Sequence, residues 1–136
     1  MRRTGIAVLL LFISNISLAQ PKLISFYKKS EVMIPMRDGI KLHTFIFSPV
    51  NASQPLPIII KRTPYGADPG YLPNDSILSV DRFDPNFYSL LKEGYFLVLQ
   101  DIRGKYKSEG TMEIHQPLIH LTNKNAVDES TDTWDT

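Results

Sequence analysis

The side chains of this sequence that could do chemistry fall into a few small groups. Tyr65 stands in Arg62-Thr63-Pro64-Tyr65, directly after an isoleucine run. A phenol hydroxyl at that address could donate a hydrogen bond to charge developing on a substrate, or the ring could pack on the core edge while Pro64 shapes the turn. The residues alone favour the packing role. Asp101, Arg103 and Glu109 form the most charged motif, at the end of a strand-like run where α/β proteins gather their sites. A loop-fixing ion pair is the simpler account of it. His43, His115 and His120 are possible metal ligands, but the last two are five apart with Pro117 between them, unlike the i, i+4 spacing of helical metal sites. The acidic run Asp128, Glu129, Asp132, Asp135 lacks the spacing and glycine of a calcium loop, and reads instead as the start of a helix. There is no cysteine, so disulfides, zinc–thiolate sites, thiol nucleophiles and a lipoprotein anchor are excluded. No metal and no cofactor is expected. Asn51-Ala52-Ser53 is a glycosylation sequon, meaningful only in a eukaryotic secretory pathway.

The elements that must position these groups are legible in outline. Glu31-Val-Met-Ile-Pro35 and residues 40–47 read as two strands joined by Arg37-Asp38-Gly39, since Asp-Gly is a strong hairpin signal. In the second strand Ile40, Leu42, Thr44 and Ile46 share one face, and Lys41, His43, Phe45 and Phe47 the other, the pattern expected of a half-buried antiparallel strand. Ile58-Ile59-Ile60 is continuous rather than alternating, as in strands buried on both faces of a parallel sheet. A long loop follows over residues 63–83. Asp84-Pro85 then opens a helix with Phe87, Leu90 and Leu91 on its apolar face, Lys92 in the last turn and Gly94 as its stop. Residues 95–100 form another buried-type strand, which completes a strand–helix–strand unit. Asp128 or Ser130 can cap a last helix that is only beginning at Thr136.

The first residues read as an address. Arg2 and Arg3 precede an apolar run over residues 6–13, and Ser17-Leu18-Ala19 supplies small residues at −3 and −1 of a cut after Ala19. This is the pattern of a secretory signal peptide over residues 1–19. The run is too short for a spanning helix, which needs about 20 apolar residues. The expected product is periplasmic or secreted and free of the membrane once the leader is cut. Its 13 basic and 14 acidic residues, with Arg2 and Arg3 removed, give a formal charge of −1. Such a balance offers no clustered basic surface for nucleic acid.

Four strings in order carry a resemblance: residues 36–42 (MRDGIKL), Arg62-Thr63-Pro64-Tyr65, residues 100–110 (QDIRGKYKSEG) and residues 128–136 (DESTDTWDT). Together they resemble the cocaine esterase / X-prolyl dipeptidyl-peptidase family, and above all its exported α-amino-acid ester hydrolases and glutaryl-cephalosporin acylases. The resemblance covers roughly residues 28–136 and implies the N-terminal part of an α/β-hydrolase fold, an antiparallel hairpin leading into a mostly parallel sheet. It also implies a Ser-His-Asp hydrolase that cleaves esters or amides through an acyl-enzyme. Tyr65 matches the family tyrosine whose hydroxyl helps to form the oxyanion hole, and this context outweighs the packing role.

The family's Gly-x-Ser-Tyr-x-Gly nucleophile string does not occur here. By the resemblance it belongs on a strand-to-helix elbow about 20 residues past Thr136, with the triad Asp and His later still. Residues 20–136 are therefore expected to be an incomplete catalytic domain, inactive and poorly folded alone. The other reading is a complete but inactive secreted binding module or remnant. The expected substrates are small-molecule esters or amides, α-amino esters and β-lactam acyl groups first, and short peptides second.

Overall fold

The computed structural model describes residues 24–50, 52–68, 70, 72–113, 123 and 126–136. The signal-peptide segment, Asn51, His115 and His120 lie outside the described residues.

Five strands form one mixed sheet in the order β3-β5-β2-β1-β4. β1 (Phe26–Pro35) and β2 (Lys41–Pro49) are the expected hairpin, paired antiparallel from Tyr27↔Pro49 to Pro35↔Lys41. The turn closes through bonds from the Met36 amide to the Ile40 carbonyl (2.8 Å) and from the Gly39 amide to the Met36 carbonyl (2.9 Å). β3 (Ile58–Thr63) runs parallel to β5 (Phe96–Asp101), and β5 runs antiparallel to β2.

Three expectations are corrected. β1 starts at Phe26, not at Glu31, because Tyr27 and Lys29 turn inward. β2 is buried on both faces rather than one, since it lies at the middle of the sheet; Leu42 and Thr44 are covered on one side, His43, Phe45 and Phe47 on the other. β3 is an edge of the described sheet, with Ile58 66% and Ile60 37% exposed, although its apolar run is of the doubly buried kind.

The long segment after β3 is not all loop. It contains β4 (Ile77–Ser79), which pairs with the start of β1, and a 3-10 turn at Val80–Arg82. Three residues are too few for periodicity to reveal a strand. The Asp84-Pro85 start is real, with the Asp84 carboxylate accepting the Asn86 amide at 3.0 Å. Its first turn, Pro85–Phe87, is 3-10, and α1 proper is Tyr88–Glu93, ended by Gly94. α2 (Glu129–Asp135) is capped by Asp128, whose side chain accepts the Thr131 amide at 2.9 Å while Thr131 Oγ1 accepts the Asp128 amide at 2.8 Å. That reciprocal arrangement satisfies two groups that a bare helix start leaves orphaned.

The core lies on the α1 side of the sheet, where Tyr27, Phe45, Phe47, Leu91 and Leu97 are almost wholly excluded from water. Phe83 meets Tyr27 and Phe47 edge-on, with ring centroids 5.5 and 5.0 Å apart. Tyr27 also joins sheet to helix: its hydroxyl donates to the Leu91 carbonyl at 2.6 Å and lies 2.9 Å from the Tyr95 carbonyl. Burial pushes this phenol up to about 12, so it stays a donor at any working pH. Tyr27→Phe should therefore cost about 1–2 kcal/mol, because it removes two hydrogen bonds at the sheet–helix junction, and the Leu91 carbonyl keeps only the Gly94 amide (3.0 Å). Denaturant unfolding of the variant against the parent measures this, and an unchanged midpoint would contradict it.

Candidate active site

The site grows from the C-terminal ends of the parallel pair β3 and β5. Thr63 and Asp101 are the last residues of these strands and face each other in register. The chain turns at Pro64 and presents Tyr65, whose amide donates to Thr63 Oγ1 at 3.1 Å. Tyr65 is 86% exposed, so among the described residues it does not pack on the core edge. It borders a cavity of about 280 Å³ whose other walls are His43, Gly66, Ala67, Asp68, Asp101, Tyr106 and Lys107.

Buried ionisable groups form the floor. Asp101 accepts the Ala67 amide on Oδ1 at 2.7 Å, and its Oδ2 lies 2.9 Å from His43 Nδ1. The other ring nitrogen of His43, Nε2, lies 2.7 Å from Glu31 Oε1, which also accepts from Lys107 Nζ at 2.7 Å. The register explains the meeting. Thr44 is paired with Gln100 and Phe45 with Glu31, so His43, Asp101 and Glu31 all project from the same face of three adjacent strands. Farther along that face Lys29, 2% exposed, sits 4.3 Å from the Phe45 ring centre and donates to the Leu72 carbonyl at 2.7 Å. The segment carrying Tyr65 is thus held by a buried carboxylate near its start and a buried ammonium farther on.

The second wall is the turn after β5. The Gly104 amide bonds the Glu109 carbonyl at 2.9 Å, and Ser108 Oγ accepts the His43 amide at 2.9 Å while donating to the Asp101 carbonyl at 2.7 Å. A Cβ on Gly104, which has φ +70°, would run into the backbone of Thr111 and Met112. Tyr106 takes the left-handed φ of 50°, uncommon for a tyrosine, and its ring lies over Gly66, where a Cβ would sit 3.1 Å from it.

The expected ion pair among Asp101, Arg103 and Glu109 is not what forms. Arg103 instead grips Asp132 of α2, with Nε and Nη2 donating to its two oxygens at 3.0 and 2.6 Å, while Nη1 donates to Asp38 at 2.6 Å. Glu109 accepts the Lys41 amide at 2.8 Å. Asp101 faces the opposite side of β5 from this ionic lock, so sequence adjacency paired it with the wrong partner. In the acidic run Asp128 caps the helix, and Glu129, Asp132 and Asp135 each meet an arginine. Arg37 holds Asp135 through Nε at 2.8 Å and Nη2 at 2.7 Å, and Arg62 holds Glu129 at 2.7 Å. Among the described residues there is no group of three or more side chains suited to holding a metal ion, and no helix long and apolar enough to cross a membrane.

A hairpin leading into a parallel pair, with a helix between its strands and site residues at their C-terminal ends, is the N-terminal part of an α/β-hydrolase fold. The pattern of the X-Pro dipeptidyl-peptidase (S15) family matches residues 38–136, and the chain belongs to that family. Cocaine esterase of Rhodococcus sp. (strain MB1 Bresler) is 33% identical over 94 residues, which is 63% of this chain and 14% of the esterase. An α-amino acid ester hydrolase structure superposes with a TM-score of 0.66 at 38% identity, covering 91% of this chain and 20% of the hydrolase. An aminopeptidase from the marine sediment archaeon Thaumarchaeota archaeon gives 0.61 at 35% identity, covering 92% of this chain and 20% of that enzyme. The chain therefore spans about a fifth or less of the length of these relatives, all of them hydrolases.

The charge network makes the site acid-sensitive. The Lys107 ammonium, and then His43, hold the Glu31 carboxyl down at about 2, below its ordinary 4.5. Arg103 lowers Asp38 and Arg37 lowers Asp135 in the same way. Carboxyls with depressed values contribute stability that is complete above their unfolded values and is lost as they protonate. Stability should then fall as pH drops from 4.5 toward 2, and Glu31→Gln should flatten part of that decline. Unfolding midpoints measured across this range check it; a variant that tracks the parent at every pH would contradict the assignment.

Proposed function

We propose that this chain supplies the N-terminal part of an exported serine hydrolase that cleaves ester or amide bonds through an acyl-enzyme, with Tyr65 as one donor of its oxyanion hole. The relatives are named a cocaine esterase, an α-amino acid ester hydrolase and an aminopeptidase, which supports small esters and short peptides as the substrate class. The nucleophilic serine and its His-Asp partners belong, in this reading, to the part of the fold that follows Thr136.

One observation carries the role of Tyr65. It stands immediately past the end of β3 with its backbone fixed and its ring facing solvent, at the address where α/β hydrolases place one oxyanion donor. When a nucleophile attacks a carbonyl carbon, negative charge collects on the oxygen. A phenol hydroxyl about 2.7–3.1 Å from that oxygen stabilises the tetrahedral state more than the ground state, which raises kcat rather than lowering KM. In this role the hydroxyl donates a hydrogen bond and transfers no proton, so it needs no base beside it.

Tyr65→Phe in the full-length enzyme should lower kcat by about 10²–10³ with KM little changed. Steady-state kinetics on the p-nitrophenyl ester of an α-amino acid test this, and an unchanged kcat would remove Tyr65 from the oxyanion hole. Export rests on the charged, apolar and small-residue pattern of residues 1–19. N-terminal sequencing of the protein from its native host should begin at Gln20; a retained Met1 would contradict the leader.

A further inference from the structure

The Tyr65 ring is 86% exposed, so among the described residues little but its backbone sets where the hydroxyl points. Two bonds fix that backbone. Thr63 Oγ1 accepts the Tyr65 amide at 3.1 Å, and Asp101 Oδ1 accepts the amide of Ala67, two residues on, at 2.7 Å. The second is the stronger kind, since a hydrogen bond to a carboxylate is worth roughly twice a neutral one. It is also the one with a dedicated support. Asp101 is 2% exposed, and keeping a carboxylate there has a desolvation cost that an ordinary turn anchor, a serine or a backbone carbonyl, would avoid. His43, 3% exposed, lies against its other oxygen and is itself backed by Glu31 at 2.7 Å, so the ring cannot turn without giving up a carboxylate on one side.

We infer that Asp101 is a positioning residue for Tyr65, with His43 and Glu31 as the brace behind it: the buried carboxylate holds the Tyr65–Ala67 turn so that the phenol hydroxyl meets the developing oxyanion. This rests on the oxyanion reading of Tyr65. It assigns the histidine of β2 to the geometry of the site, not to proton transfer. The physical reason it matters is that a displacement of about 1 Å at a catalytic group can cost on the order of 10²-fold in rate.

A double-mutant cycle in the full-length enzyme, with the p-nitrophenyl ester of an α-amino acid as substrate, separates positioning from general stability. Asp101→Ala should lower kcat about 10- to 100-fold with KM within about threefold, because only the transition state uses the hydroxyl. In the Tyr65→Phe background the same change should lower kcat no more than about threefold further, since nothing remains to be positioned. Asp101→Asn keeps an oxygen for the Ala67 amide and should recover part of the loss. Thermal unfolding accompanies each variant. Should Asp101→Ala fail to fold, His43→Gln takes its place in the cycle, with a smaller loss expected and again little in the Tyr65→Phe background.

Equal losses with and without the Tyr65 hydroxyl would overturn the inference. So would a normal kcat for Asp101→Ala beside a slow Tyr65→Phe, an outcome that leaves the oxyanion reading intact. A normal kcat for Tyr65→Phe would instead defeat that reading and this inference with it.

Discussion

The arrangement depends most on one buried carboxylate, Asp132. It is 1% exposed and lies between two guanidinium groups, bidentate with Arg103 and 3.5 Å from Arg62. Removing a carboxylate from water costs several kcal/mol, and only close, correctly oriented cations offset it. The gain is better described as specificity than as stability. α2 docks in the orientation that brings Asp132 to Arg103, Asp135 to Arg37 and Glu129 to Arg62. The Arg103 guanidinium also reaches Asp38 in the β1–β2 turn, so hairpin, β5 and α2 share one ionic lock. The four sequence strings that carry the family resemblance meet here: Arg37 and Asp38 from the first, Arg62 from the second, Arg103 from the third, and the acids of α2 from the fourth. They are parts of one structural device.

The ionic lock and the candidate site lie on opposite faces of the same two strands. Gln100 and Asp101 are neighbours in β5, and strand alternation sends them apart. Gln100 Nε2 donates to Thr44 Oγ1 at 2.9 Å and to Thr136 Oγ1, just past α2, at 3.0 Å, and its Oε1 accepts from Arg62 Nε at 2.9 Å. Asp101 joins His43 and pins the Tyr65 turn. β2 has to be covered on both faces for this, and its pattern of inward Thr44 on one side and His43 on the other is the signature of a central strand that carries polar networks above and below. Neither network leaves the strand pair free to slide, because a slip of one residue would exchange the two sets of partners.

Much of this was legible in the sequence, and what escaped did so for definable reasons. Asp38-Gly39 announced the hairpin, Asp84-Pro85 and Gly94 bracketed the helix, and Asp128 capped α2, since turns and caps are local chemistry. The partners of the charged residues were not legible. Arg103 finds Asp132 at a separation of 29 residues and Arg37 finds Asp135 at 98, and no local rule selects those pairs over Asp101 or Glu109. β4 escaped because three residues carry no period, and Lys29 because a buried lysine looks like a surface one until its partners, the Leu72 carbonyl and the Phe45 ring, are in place. His43 was visible only as a possible ligand; its place in the brace required the register of three strands.

The exposure of Tyr65 among the described residues bears on its proposed role. A tyrosine recruited for packing buries its ring, as Tyr27 does together with its hydroxyl. Among the described residues the ring is free, while the amides of Tyr65 and Ala67 are held by Thr63 and by a carboxylate that the fold desolvates at some cost. Stability alone does not explain that combination, because the same turn could be closed by neutral groups with less burial of charge. A hydroxyl that must meet an oxygen existing only during reaction has the opposite needs: no resting partner of its own, and a backbone that does not move. Fixed main chain and unengaged side chain are what preorganised electrostatic stabilisation requires of a donor, since reorganisation at the moment of reaction would forfeit most of its effect.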